Sequence, residues 1–143
     1  MIRATPPPKP AYPKFIFVAY TYAAVLVALV VVQLMGLGGF DFAHITYQTP
    51  GQPGMIVLIA GLEIFALPFV LRLPLSGLAR FFSATFTLSA PFFVVVHLLY
   101  LTAEGLLPTN WYAILGSILF ICLGVASFGI LDGVKAVSGK IKG

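Results

Sequence analysis

Between Phe15 and Met35 the chain runs for 21 residues without a charged side chain. A helix rises about 1.5 Å per residue, so a run of this length covers the roughly 30 Å hydrocarbon core of a bilayer. It is too long for the core of a signal peptide, and no small-residue cleavage site follows it. Three more apolar runs follow, at about Met55–Leu73, Phe81–Leu101 and Trp111–Val134. Charged residues make up only 8% of the chain and hydrophobic ones 60%. Soluble domains carry about 25% charged residues. A water-soluble fold of 143 residues has too little interior for so much apolar surface, whereas lipid removes the need to hide it. The sequence therefore predicts an all-α integral membrane four-helix bundle, with helices at about 15–35, 55–73, 81–101 and 111–134.

The charges that remain are ordered. Arg3, Lys9 and Lys14 precede the first helix, Arg72 and Arg80 lie between the second and third, and Lys135, Lys140 and Lys142 follow the fourth. The other two connections have no basic residue. With four crossings all eight fall on one side, which the positive-inside rule makes the cytoplasm. Both termini are then cytoplasmic, and Trp111 and Tyr112 fall at the outer interface, where aromatic residues collect. The net charge of +4 is absorbed by this orientation, and no nucleic-acid partner is implied.

Residues 1–14 hold five prolines, which prevents a helix and predicts an extended, solvated cytoplasmic arm. Residues 36–54, rich in Gly and Pro, form the longest loop. Residues 135–143 form a basic cytoplasmic tail. The single cysteine, Cys122, sits in an apolar run and reads as a small hydrophobe; alone, it makes no internal disulfide or dithiol pair.

Glu63 stands out, near the middle of the second apolar run. An ionised side chain there costs roughly 2.5–3.5 kcal/mol on insertion scales, and the protonated form is cheaper to bury. Two readings stay open: a proton-handling or ligand-binding carboxyl, and a hydrogen-bonded residue joining two helices. Pro68, five residues on, removes a backbone donor and leaves a carbonyl that a protonated Glu63 would reach.

His97, Tyr100 and Glu104 share one face of the third helix. With Asp41 and His44 of the long loop they define either a polar outer pocket or interfacial groups reaching water. Two histidines and scattered acids lack the tight spacing of a metal site, so no metal is expected. The hydroxyls Ser83, Thr85, Thr87 and Ser89 lie on several faces and are expected to bond their own backbone. Ala113, Ser117, Gly124, Gly129 and Gly133 place small residues where helices approach closely, within the chain or with a partner. No phosphate loop, no metalloprotease or serine-hydrolase signature and no haem-binding histidine pair is present, so no cofactor is implied by motif.

The charge-free first helix, the glycine-rich loop with Phe40, Asp41, Phe42 and Tyr47, the Leu62–Glu63 pair and the basic turn after it resemble the DoxX/MauE-like group of small four-helix bacterial membrane proteins. The likeness covers about residues 15–100. It implies a bacterial cytoplasmic (inner) membrane location and a link to quinone-coupled oxidation or redox-enzyme maturation. The maturation members use cysteine pairs, and this chain has one cysteine. Two functions are expected: a non-catalytic accessory or assembly subunit, partnered by other membrane subunits or by its own copies, and a proton-coupled or quinone-interacting protein using Glu63. An enzyme built on Asp41, His44, His97 and Glu104 is a third.

Overall fold

The computed structural model describes residues 3–37, 52–105 and 111–138. Among them the chain is all-helical. A 3₁₀ turn, Pro13–Phe15, leads into α1 (Ile16–Leu37), followed by α2 (Gln52–Val70), α3 (Gly77–Ala103), α4 (Trp111–Ile130) and a short α5 (Gly133–Ser138). Pro13 suits the first turn, where its missing N–H has no partner to lose. Asp41, His44, Phe40, Tyr47, Lys140 and Lys142 lie outside the described residues.

The helix boundaries follow local chemistry that the apolar runs alone do not reveal. α2 stops at Val70, short of Leu73. Arg72 adopts a left-handed backbone (φ 58°), its N–H donates to the Phe69 carbonyl (3.1 Å), and the Leu73 N–H donates to the Pro68 carbonyl (2.9 Å). This is a Schellman cap, closed behind by Pro74. α3 starts four residues before the expected Phe81, because Ser76 caps it by accepting from the Ala79 N–H at 3.2 Å. Arg80 thus lies in a helix rather than in a turn. α4 ends at Ile130, not Val134: Asp132 turns left-handed (φ 59°), donates its N–H to the Gly129 carbonyl (3.2 Å) and pairs with Lys135 at 3.1 Å. The Gly129 and Gly133 spacing consequently straddles a break between two helices.

α2 packs against α1 and α3, α4 packs against the same two, and α5 folds onto α3. The interior mixes small residues, among them Ala19, Ala23, Ala60, Ala66, Ala84 and Ala90, with larger ones such as Tyr22, Leu26, Ile59 and Phe69. Large apolar side chains point outward instead, including Phe17, Phe65, Phe92, Leu99 and Ile118. Two helical stretches, Pro13–Met35 and Gly77–Ala103, are long and apolar enough to cross a membrane; Gly54–Val70 and Ile114–Ile130 are shorter apolar helices.

The proline-rich arm is not a solvated tail. Thr5 and Leu75 exchange backbone hydrogen bonds (3.0 and 3.1 Å), and the Ala11 N–H caps the Ile130 carbonyl at 2.8 Å. The arm therefore ties the α2–α3 connection to the end of α4. The described basic residues Arg3, Lys9, Lys14, Arg72, Arg80 and Lys135 belong to the elements gathered at this end.

Candidate functional site

Pro68 and Pro91 each remove a donor from the ladder of a continuous helix, and next to each a hydroxyl from another helix bonds the backbone. Pro91 has no N–H for the Thr87 carbonyl. The Tyr22 hydroxyl of α1 donates to that carbonyl at 2.8 Å. Gly124 of α4 closes over the same spot: a Cβ there would meet Pro91 Cγ at 2.8 Å, the Tyr22 hydroxyl at 3.2 Å and the Thr87 carbonyl at 3.3 Å. At Pro68 the ladder of α2 opens. The Ser83 hydroxyl of α3 inserts, accepting from the Phe69 N–H (2.9 Å) and donating to the Phe65 carbonyl (2.6 Å). The opening leaves an apolar groove of about 380 Å³ lined by Phe65, Pro68, Phe82, Ser83 and Phe86. Ser83 departs from the expected pattern, whereas Thr85, Thr87 and Ser89 donate to the carbonyls four residues back.

Glu63 is fully buried, with 0% of its surface exposed. Gln33 of α1 donates its Nε2–H to Glu63 Oε1 at 3.2 Å. Glu63 Oε2 and Gln33 Oε1 are also buried, and neither has a hydrogen-bond partner among the described residues. The carboxyl does not bond the carbonyls near Pro68, as the sequence suggested; Ser83 bonds the backbone there, and Glu63 joins α2 to α1.

A second buried ionisable group sits at the basic end. Arg80 is 2% exposed. One of its terminal nitrogens, Nη2, lies 3.0–3.2 Å from four acceptors: the carbonyls of Thr5, Pro6 and Leu75 and the Thr5 hydroxyl. Arg72 adds a bond from its guanidinium to the Pro8 carbonyl at 3.2 Å. Backbone carbonyls of the arm thus serve as the counter-dipole for a buried cation.

The outer constellation is only partly assembled. The His97 ring stacks near Tyr100, with centroids 6.5 Å apart, and His97 Nδ1 is buried without a partner. Tyr100 is exposed, and Glu104 is exposed at the C-cap of α3, whose end is closed by the left-handed Gly105 (φ 74°). No group of three or more His, Cys, Asp or Glu able to hold a metal occurs among the described residues. On α4, Ser117 is half-buried, Gly124 is packed, and Gly129 has nothing within 4 Å of its Cβ position. Gly133 packs against the Phe128 ring across the α4–α5 break.

Sequence reasoning missed Gln33, Tyr22, Ser83 and the burial of Arg80. Gln33 carried a signal: it is the one amide in an otherwise apolar stretch of α1.

Comparison with protein-family models, with curated proteins and with solved structures finds no match to this chain. The resemblance to the DoxX/MauE-like group therefore rests on its quoted residues alone.

Proposed function

We propose that the chain is a multi-pass protein of a bacterial cytoplasmic membrane, a four-helix bundle with both termini cytoplasmic, and that it serves as a non-catalytic accessory or assembly subunit of a membrane complex. The membrane placement is supported by the many large apolar side chains exposed on the outside of the helices, which suits lipid as the surrounding solvent. The gathering of basic residues at one end supports the orientation. The subunit reading is carried by the outer face of α4. Leu115, Ile118, Cys122, Val125 and Gly129 are exposed at alternating spacings of three and four, and nothing lies within 4 Å of the Cβ positions of Gly116 and Gly129. Small residues with open space over them let a second helix approach the backbone closely.

The test is purification in mild detergent at native expression level, with mass spectrometry of co-purifying chains. A stoichiometric membrane partner is expected, and Gly129→Leu should release it while leaving the helical content unchanged. A homogeneous protein that purifies alone, with or without the substitution, defeats the reading.

A second reading, a proton-coupled or quinone-interacting membrane protein, is favoured by Glu63, a buried carboxyl held by one amide in an apolar interior. Proton uptake by vesicles containing the protein, lost in Glu63→Gln, would support it; uptake indifferent to that substitution would remove it.

A further inference from the structure

Glu63 and Gln33 present an imbalance of donors and acceptors with one simple solution. The amide has spent a donor on Glu63 Oε1 at 3.2 Å. What remains buried without a partner is a carboxyl oxygen, Glu63 Oε2, and an amide oxygen, Gln33 Oε1. A carboxylate only accepts hydrogen bonds, and so does an amide oxygen, so these two atoms cannot satisfy each other. Turning the amide over would set its oxygen against Glu63 Oε1 and lose the one bond present. The helix backbone offers no relief, since mid-helix N–H groups are already committed to their own ladder.

Among the described residues, the charged and titratable groups on the neighbouring helices do not supply a counter-ion. On α1, Tyr20 is exposed, and the Tyr22 hydroxyl donates a hydrogen bond to the Thr87 carbonyl. On α3, Arg80 is bonded to the arm, His97 stacks near Tyr100, which is exposed, and Glu104 is exposed at the helix end.

One proton on Glu63 Oε2 resolves both deficits. It turns the orphan carboxyl oxygen into a donor, and the acceptor it needs is the orphan amide oxygen. Acid and amide are both planar with complementary edges, so two parallel hydrogen bonds close a ring between α1 and α2. We infer that Glu63 and Gln33 form a proton-binding site in which the carboxylic acid is the resident form and the amide is its built-in partner. The ligand is the proton itself. Its release leaves a buried anion beside an amide oxygen, so proton occupancy is coupled to the contact between α1 and α2. The inference deepens the second reading above, in which Glu63 handles protons.

The chain contains two glutamates, Glu63 and Glu104. Labelling glutamate with ¹³C at the side-chain carboxyl in Glu104→Gln protein makes Glu63 the one labelled carboxyl. The infrared spectrum of the full chain in lipid vesicles at neutral pH then reads its state. The expected result is the carbonyl stretch of a carboxylic acid, displaced in heavy water, and moved to higher wavenumber in Gln33→Leu, where the ring is lost. A labelled carboxylate band at neutral pH without an acid band overturns the site. An acid band indifferent to Gln33→Leu overturns the role of the amide. An alkaline carbonate wash of the same vesicles separates this outcome from failure of the membrane reading: a washed-off chain refutes membrane insertion, whatever the carboxyl band shows.

Discussion

Arg80 and Glu63 are both buried ionisable residues, and the chain treats them differently. Arg80 sits in the first turn of α3, beside a segment whose backbone is not helical. Arg80 Nη2 reaches three carbonyls of the arm and the α2–α3 connection together with the Thr5 hydroxyl, while Nη1 is buried without a partner among the described residues. Glu63 sits in the interior of α2, where all surrounding backbone donors are spent inside helices. It collects one side-chain amide hydrogen. The difference teaches a positional rule. A cation near a helix end finds loop carbonyls, each of which can accept a second hydrogen bond. An acid inside a helix has only side chains to turn to, and where they run short, a proton makes up the difference.

Substituting glutamine at both sites breaks the comparison most sharply. Arg80→Gln removes the charge that holds the arm and the guanidinium bonds to the carbonyls of Thr5, Pro6 and Leu75. A loss of about 2–4 kcal/mol is expected, read as a lower thermal midpoint in detergent and faster proteolysis of the arm. Glu63→Gln should change the midpoint little, by less than about 1 kcal/mol, because an amide mimics the neutral acid in shape and can donate to Gln33 Oε1. An equal loss at the two sites would erase the distinction.

Ser83→Ala comes next. It strands the Phe69 N–H and the Phe65 carbonyl at the Pro68 break, and about 1–3 kcal/mol should be lost. Tyr22→Phe removes one bond, to the Thr87 carbonyl at Pro91, and should cost about 1 kcal/mol in the same unfolding assay. The smallest effect belongs to Gly129. Gly129→Ala has open space and should be neutral or stabilising by up to about 1 kcal/mol. Gly124→Ala, which would press on Pro91 and Tyr22, should destabilise, which makes the pair an internal control for the packing.

Much of the helical content was legible because apolar runs and proline-rich breaks are local properties. Glu63 was legible as an anomaly, one carboxyl in an apolar stretch. Its partner was not, because Gln33 lies thirty residues away and nothing in either segment specifies the register of α1 against α2. Arg80 was misread for a similar reason. Counting basic residues by side treats each as solvated, whereas this one is buried by an arm whose prolines suggested only extension. The boundaries at Val70 and Ile130 were hidden because Arg72 and Asp132 occupy left-handed positions that glycine would have advertised.

The central claim is that the chain crosses the membrane four times, with the arm, the α2–α3 connection and α5 on the cytoplasmic side. Single cysteines placed at Lys9, Leu73, Glu104 and Val137 in a Cys122→Ser background, probed in intact cells with a membrane-impermeant thiol reagent, test it most directly. Labelling at Glu104 alone is the predicted result. Labelling at Leu73 from outside would mean that α2 does not cross, and would contradict the account.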